Sequence, residues 1–90
     1  MAWTVEFDPA AAKELHKLDP AVAKRVIGFL RARLAPIDDP RSLGEALRGD
    51  TLGDYWKYRL GDHRIIVRIV DRRLVVIVVR IGHRSDVYRR

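Results

Sequence analysis

Residues 55–81 read YWKYRLGDHRIIVRIVDRRLVVIVVRI. β-Branched and aromatic residues dominate this stretch, and Gly61-Asp62 and Asp71-Arg72 interrupt it. Short runs of such residues separated by two turn residues are typical of an antiparallel meander. We therefore expect three consecutive strands, over Tyr55–Leu60, His63–Val70 and Arg73–Ile81.

The first hairpin determines which side chains share a face of the sheet. A two-residue turn at Gly61-Asp62 pairs Leu60 with His63 and Arg59 with Arg64, and directly paired residues project to the same face. We expect the core face to collect the apolar side chains of Trp56, Tyr58, Ile65, Val67 and Ile69. The opposite face, called the basic face below, collects Lys57, Arg59, Arg64 and Arg68, interleaved with Tyr55 and Ile66.

Arg59 and Arg64 stand directly opposite each other in this register. Like charges at opposed positions destabilise a strand pair, so the arrangement makes sense if an anion binds between the two guanidinium groups. The alternative is that both side chains extend into solvent at an exposed hairpin end.

The second hairpin is expected to bring apolar residues to the basic face. With Asp71-Arg72 as its turn, Val70 pairs with Arg73 and Ile66 pairs with Ile77. This register adds the side chains of Val75, Ile77 and Val79. A surface that is both apolar and cationic favours a partner that covers it part of the time, such as a helix or stacked bases.

The N-terminal half carries one strand signal and two helix signals. Apolar and polar residues alternate from Trp3 to Phe7, which predicts a short opening strand. Asp8-Pro9 and Asp19-Pro20 each combine a capping residue with a first-turn proline. Two helices are therefore expected, one ending at about Leu18 and the other at about Leu34.

These elements define an expected fold. Residues 35–54, with two prolines and three glycines, are expected to connect the halves, with one helical turn from Leu43 to Leu47. The order β-α-α-β-β-β predicts an α+β fold, in which an N-terminal helical hairpin packs on one face of a small, mostly antiparallel four-stranded sheet. A chain of 90 residues is expected to form one domain, residues 1–90.

The charge of the chain is unevenly distributed. The net charge is +6, and residues 1–40 contribute none of it, because they hold six basic and six acidic residues. Residues 41–90 hold twelve basic and six acidic residues, and eleven of the twelve are arginines, which are suited to bidentate phosphate contacts. This indicates a polyanionic partner, nucleic acid first. The alternative is a solubilising surface charge.

Composition argues against several other kinds of site. The chain has no cysteine, which excludes a disulfide scaffold and thiolate metal sites and fits a cytoplasmic location. His16, His63 and His83 are widely spaced without a carboxylate cluster, so we expect neither a metal nor a small-molecule cofactor. The longest apolar run, Leu74–Val79, has six residues, whereas a membrane span needs about 20.

Acid–base chemistry is available near the end of the chain, at His83, Arg84 and Tyr88. Together with cations on a sheet face, such groups can cleave RNA without a metal, because the RNA 2′-hydroxyl supplies the nucleophile. The alternatives are that Tyr88 packs against the sheet edge and that His83 is a hydrogen-bonding turn residue.

Three segments resemble a known family. Leu47-Arg48-Gly49, the stretch from Tyr55 to Ile66 and the stretch from Ile81 to Tyr88 are similar to the RelE/ParE superfamily of toxins from type II toxin–antitoxin systems. The N-terminal strand and the alanine-rich helix fit as well. The resemblance implies a RelE-like fold and, in the RelE branch, cleavage of mRNA on the ribosome.

The resemblance also implies roles for individual residues. Lys57, Arg59 and Arg64 correspond to phosphate stabilisers, Tyr88 to a proposed general base and Arg84 to a proposed general acid. The segment between Arg84 and Tyr88 is shorter than in the best-known member, so His83 is a second candidate proton donor. The further residues expected to bind RNA are Arg48, Arg68, His83 and Arg89.

Partners and alternative functions follow from the same resemblance. A RelE-like toxin implies a cognate antitoxin that inhibits it, with mRNA and the ribosome as targets. The ParE branch has the same fold but inhibits DNA gyrase, and it lacks the tyrosine-bearing nuclease set. A third hypothesis is a nucleic-acid-binding module without catalytic activity.

Overall fold

Five strands and two helices make up the part of the chain that the computed structural model describes, residues 2–47 and 55–83. In chain order the elements are β1 (Thr4–Phe7), α1 (Pro9–Lys17), α2 (Pro20–Gly28), a π-helical turn (Phe29–Leu34), a 3-10 turn (Pro40–Leu43), β2 (Glu45–Ala46), β3 (Tyr55–Leu60), β4 (His63–Val70), a second 3-10 turn (Asp71–Arg73) and β5 (Val75–His83).

The strands form one sheet in the order β1-β5-β4-β3-β2. β1 runs parallel to β5, and the other three pairings are antiparallel. The predicted α+β class and the mostly antiparallel sheet are therefore confirmed. The predicted number of four strands was too low by one, because the fifth strand, β2, is only two residues long and has no alternation that a sequence pattern could show.

The helical turn predicted from Leu43 to Leu47 is wrong. A 3-10 turn forms earlier, over Pro40–Leu43, because the Asp39 carboxylate accepts a hydrogen bond from the Arg41 backbone N–H at 3.1 Å. Gly44 then has extended backbone, with φ −139°. Glu45 and Ala46 pair with Lys57 and Trp56 as an edge strand.

Both helices begin at the predicted prolines, but only Asp8 caps its helix, because the Asp19 side chain accepts no capping hydrogen bond. The Asp8 carboxylate accepts a hydrogen bond from the Ala10 N–H at 3.3 Å, and Pro9 occupies the first turn of α1. α2 continues directly into the π-helical turn Phe29–Leu34. Leu34, the predicted end of the second helix, is fully buried.

The core lies between the helices and one face of the sheet. Tyr58, Ile65 and Val67 are at most 1% exposed and belong to the same buried cluster as Val26 and Leu30 of the helical layer. Ile69 is also buried, and Trp56 packs against this cluster while partly exposed. The predicted core face is thus confirmed, and each fully buried aliphatic side chain contributes about 1.5–3 kcal/mol of transfer free energy.

The first hairpin has the predicted register. Leu60 pairs with His63, Arg59 with Arg64, and the pairing continues to Tyr55 with Arg68. Gly61 takes a φ of +62° in the turn, a left-handed conformation that glycine adopts without a steric penalty.

The register predicted for the second hairpin is wrong. Val70 pairs with Val75 rather than Arg73, because the turn spans Asp71–Arg73 and then Leu74, which has a φ of +54°. A two-residue turn needs positive φ at its central positions, and Asp71-Arg72 lacks the glycine that favours this. β5 therefore begins at Val75 and ends at His83 rather than spanning Arg73–Ile81.

An irregularity in β5 changes the pairing further. Ile66 pairs with Arg80 rather than with Ile77, which pairs with Arg68 instead. Val79 is the extra residue at this register shift. Val75 and Ile77 lie on the basic face as expected. Val79 has no partner in the register, so the alternation of β5 does not assign it to the basic face.

The segment before β2 is tied to the core face by two polar contacts. The Arg41 guanidinium donates hydrogen bonds to both carboxylate oxygens of Asp71 at 3.0 and 2.7 Å and lies 5.8 Å from the Trp56 ring centroid. The buried Tyr58 hydroxyl donates to the Pro40 carbonyl at 2.8 Å. These contacts hold the segment next to β3, where it borders the site described below.

We expect Asp71→Asn to lower the free energy of unfolding at pH 7 by at most about 1 kcal/mol, since the ion pair is largely solvent-exposed. The hydrogen bonds from Arg41 lower the pKa of Asp71. The stabilisation is therefore present above the unfolded-state pKa near 4 and is lost as the pH falls through the lower folded-state pKa. Urea denaturation at pH 7 and pH 2 measures this, with Asp62→Asn as the control. An equal deficit at both pH values would contradict it.

We expect Tyr58→Phe to cost about 1–2 kcal/mol of unfolding free energy, because the buried Pro40 carbonyl loses its donor. Burial raises the pKa of Tyr58, so the hydroxyl contributes fully below the unfolded-state pKa near 10 and its contribution is lost at higher pH. Denaturation curves of both proteins at pH 7 and pH 11 check this. A deficit that is larger at pH 11 than at pH 7 would refute the assignment.

Candidate nucleic-acid interface

The hairpin of β3 and β4 projects three basic side chains from one face. Lys57 and Arg59 are two positions apart on β3, so they share a face. Arg64, near the start of β4, pairs directly with Arg59. The first-hairpin register thus places all three on the basic face, and the structure brings them together in one pocket.

The pocket has a volume of about 390 Å³. This falls in the range of about 300–1,000 Å³ that is usual for small-ligand sites. One wall is the strand pair β3–β4, and the other is the end of the 3-10 turn with the edge strand β2. The lining residues are Ser42, Leu43, Gly44, Glu45, Lys57, Arg59 and Arg64.

Gly44 allows the second wall to approach β3 closely. A Cβ atom at this position would lie 2.5 Å from the Lys57 carbonyl oxygen and 2.7 Å from the Tyr58 ring. Neither contact could relax without moving the backbone or a buried ring. The shape of the pocket therefore depends on the absence of a side chain at residue 44.

The pocket carries excess positive charge. Three cations and one carboxylate, that of Glu45, line it, so the described lining residues sum to +2. Glu45 Oε1 lies 3.8 Å from Lys57 Nζ, and the Glu45 side chain is 79% exposed. Within residues 2–47 and 55–83, neither Arg59 nor Arg64 forms an ion pair.

Arg64 is the most buried of the three cations. Only 9% of its surface is exposed, and its Nη1 donates one long hydrogen bond, 3.4 Å, to the His63 carbonyl. A buried cation is stabilised well only by an anionic partner. The environment of Arg64 therefore favours binding of an anion such as a phosphate.

The remaining candidate residues are not part of this pocket. Arg68 lies on the basic face, exposed, but does not line the pocket. His83 pairs with His63, with ring centroids 5.9 Å apart, and the alternation of β4 puts this pair on the face opposite to Arg64. Arg48, Arg84, Tyr88 and Arg89 lie outside the described residues.

Sequence reasoning missed the second wall of the pocket. Ser42, Leu43, Gly44 and Glu45 were expected only to connect two halves of the chain. Glu45 joins the site because it pairs with Lys57 across the ladder. No local sequence motif predicts that a two-residue strand pairs with a segment about ten residues away. The sequence therefore contained no signal for Glu45 as a site residue.

A further carboxylate closes the edge of β5 beyond the end of β1. Glu14 of α1 accepts a hydrogen bond from the Ile81 backbone N–H at 2.7 Å and another from Arg80 Nε at 3.1 Å. Charge-assisted bonds of this kind are stronger than neutral ones. This contact fixes the last part of β5, next to the strand that carries Arg64.

Residues 2–47 and 55–83 contain neither a metal-binding cluster nor a membrane-spanning helix. No group of three or more His, Asp or Glu residues there could hold a metal ion. None of the helices described is both long and apolar enough to cross a bilayer.

Sequence comparisons identify relatives along the whole chain. RelG, a toxin of Mycobacterium tuberculosis, is 36% identical over 90 residues, covering 100% of both chains. The mRNA interferase toxin RelE of Escherichia coli is 32% identical over 93 aligned positions, covering 98% of this chain and 92% of that one.

Solved structures agree with these relatives. The toxin–antitoxin complex RelBE2 of M. tuberculosis contains a chain that matches with a TM-score of 0.83 at 32% identity, over 96% of this chain and 95% of that chain. A mutant of E. coli RelE in the free state matches with a TM-score of 0.76 at 31% identity, over 98% and 92% of the two chains.

A family model also matches most of the chain. The model describes the ParE toxin of type II toxin–antitoxin systems (parDE) and matches residues 5–88. Residues 5–88 include all of β1 except Thr4 and every other helix and strand that the structure describes. The chain therefore belongs to the ParE toxin family and is a type II toxin of the RelE/ParE superfamily.

Proposed function

We propose that this toxin is an endoribonuclease that cleaves mRNA on the ribosome and so inhibits translation. The observation that carries the proposal is the pocket in which Lys57, Arg59 and Arg64 converge with a net charge of +2. Its charge suits a phosphodiester group of an RNA strand, and its size leaves room for the attached sugar. The similarity to E. coli RelE, which is named an mRNA interferase, supports the same activity.

The cations of the pocket act on the phosphate. Attack by the RNA 2′-hydroxyl on the adjacent phosphorus forms a crowded, negatively charged phosphorane, and fixed cations stabilise it more than they stabilise the ground state. Arg64 is largely buried, so water screens its charge least. Arg59 stands at the opposed position on β3, and we propose that the two guanidinium groups flank one phosphate.

Proton transfer completes the proposed reaction. The resemblance gives Arg84 as the proton donor and Tyr88 as the base, with His83 as a second candidate donor. His83 lies on the face opposite to Arg64 according to the register of β4 and β5, so Arg84 is the better candidate of the two donors. Arg68, exposed on the basic face, is proposed to bind the RNA backbone beyond the pocket, and Arg48 and Arg89 are proposed to extend this contact.

A cognate antitoxin is the proposed protein partner. The similar chain of M. tuberculosis was solved in a toxin–antitoxin complex, as was another similar chain from E. coli RelBE, at 28% identity and a TM-score of 0.69. We propose that the antitoxin of this chain holds the toxin inactive by covering or distorting the basic face.

Inhibition of DNA gyrase is the second candidate function. It is favoured by the description of the matching family model, which names the ParE toxin of parDE systems. A gyrase inhibitor uses the fold as a binding surface and needs no phosphodiester chemistry in the pocket. It would cause cleaved DNA complexes to accumulate, with mRNA left intact.

We expect Arg64→Ala to reduce mRNA cleavage by about 10²–10³-fold, the usual cost of removing one preorganised charge donor from a transition state. Induced expression followed by primer extension on translated messages measures this, with growth as a second readout. Arg72→Ala is the matched control, because it removes the same charge from an exposed turn and should cleave normally.

Two results would contradict the proposal. If the wild-type toxin leaves messages intact and linearises plasmid DNA in the presence of gyrase, the gyrase alternative holds. If messages are cut and Arg64→Ala cuts them as fast as Arg72→Ala does, the activity is correct and the pocket is not its site.

A further inference from the structure

We propose that Tyr55, Arg68 and Ile77 form a subsite for one nucleobase of the RNA, with the base stacked on the Tyr55 ring. The inference rests on the proposed function in one respect, because it takes RNA as the ligand of the neighbouring phosphate pocket. It assigns a ligand-binding role to Tyr55, which has had none so far. The three residues are called the base platform below.

The sheet register places the base platform in one row across three strands. Tyr55 of β3 pairs directly with Arg68 of β4, and Arg68 pairs in turn with Ile77 of β5. Directly paired residues project to the same face, and the alternation along β3 and β4 makes this the basic face. An aromatic ring, a guanidinium group and an aliphatic side chain are therefore neighbours on one surface.

The base platform lies about one nucleotide away from the phosphate pocket. Tyr55 precedes Lys57 by two residues on β3, which corresponds to about 7 Å along the strand. Arg59 and Arg64 form the next row on the same face beyond Lys57. Because the backbone of an extended RNA strand advances by a similar length per nucleotide, a phosphate held in the pocket leaves an adjacent base within reach of Tyr55.

Tyr55 is an aromatic residue that the fold itself uses little. It is half-buried and does not belong to the core cluster. Within residues 2–47 and 55–83, no other ring or guanidinium group stacks on its ring, and its hydroxyl forms no hydrogen bond. The nearby Tyr58, in contrast, packs its ring against Phe29 and donates its hydroxyl hydrogen to the Pro40 carbonyl. The Tyr55 ring is therefore available to a ligand.

A nucleobase is the occupant that fits this combination of groups. Proteins that bind single-stranded RNA stack bases on aromatic rings and on guanidinium planes, and such stacking tolerates different bases. Arg68 is exposed and forms no ion pair in the described part of the chain, so it can contact the base or the phosphate that follows. A protein segment could cover the same apolar surface, but the nucleotide-length spacing from a cationic pocket favours RNA.

The test uses two 2′-O-methylated RNA dinucleotides, which the proposed reaction cannot cleave. One carries 2-aminopurine as its 5′ base and the other as its 3′ base, so one of them places the fluorescent base next to Tyr55. Stacking on an aromatic ring quenches the fluorescence of 2-aminopurine. Each dinucleotide is also made with an abasic residue in place of 2-aminopurine, and affinities are measured by NMR titration of the protein.

Four variants are compared with the wild type. Tyr55→Leu removes the ring and keeps an apolar side chain on the strand, whereas Tyr55→Phe keeps the ring. Arg68→Ala removes the cation of the base platform. Its matched control is Arg31→Ala, which removes the same charge from an exposed position in the helical layer.

We expect the wild type and Tyr55→Phe to quench one of the two dinucleotides. Tyr55→Leu should not quench it and should bind it at least about fivefold more weakly, the lower end of the usual contribution of one base–aromatic stack. The abasic change should weaken binding to the wild type by a similar factor and leave binding to Tyr55→Leu unchanged, because both changes remove the same contact. Arg68→Ala should weaken binding more than Arg31→Ala does.

Three results separate the base platform from the proposed function. If Tyr55→Leu quenches and binds like the wild type, or if the ring and the base contribute independently, Tyr55 does not stack a base. If the wild type cleaves mRNA on ribosomes but quenches neither dinucleotide, the proposed function holds and the base platform is wrong. If quenching depends on Tyr55 but the wild type does not cleave mRNA, the base platform holds and the nuclease assignment fails.

Discussion

The structure of the basic face depends on one constraint, the direct pairing of Arg59 with Arg64 across the β3–β4 hairpin. The tight turn at Gly61 sets this register, and the backbone ladder keeps two like charges opposed although they repel each other. The repulsion is tolerable because the core face of the same strands buries Tyr58, Ile65 and Val67. Hydrophobic packing on one face thus holds a cationic pair on the other, ready for an anion.

The elements predictable from sequence were those with strong local signals. Aspartate–proline pairs marked both helix starts, and Gly61-Asp62 marked a turn whose register followed from counting. The predicted register of the second hairpin was wrong because Asp71-Arg72 does not easily adopt positive φ. The turn is longer than two residues, and Leu74 takes the left-handed conformation instead. The extra residue Val79 then shifted the pairing of Ile66 to Arg80. Only the first effect has a local marker, the absence of glycine from Asp71-Arg72.

The candidate site, like the fold, could be predicted from the sequence only in part. Lys57, Arg59 and Arg64 could be grouped from strand alternation alone, because all three belong to one hairpin. The wall that completes the pocket could not, since it requires a two-residue strand to pair with Lys57 and a glycine to pass within van der Waals distance of Tyr58. The wall nevertheless gives the pocket its second side and its one described carboxylate, that of Glu45, and only the tertiary structure reveals it.

We propose that Lys57, Arg59 and Arg64 hold one phosphate together. NMR of the arginine Nε–H and lysine side-chain signals during titration with a 2′-O-methylated RNA dinucleotide tests it most directly. We expect the signals of these three residues to shift together with one dissociation constant, while those of Arg31 and Arg33 on the helical layer stay in place. Shifts confined to the helical arginines, or separate dissociation constants for Arg59 and Arg64, would contradict it.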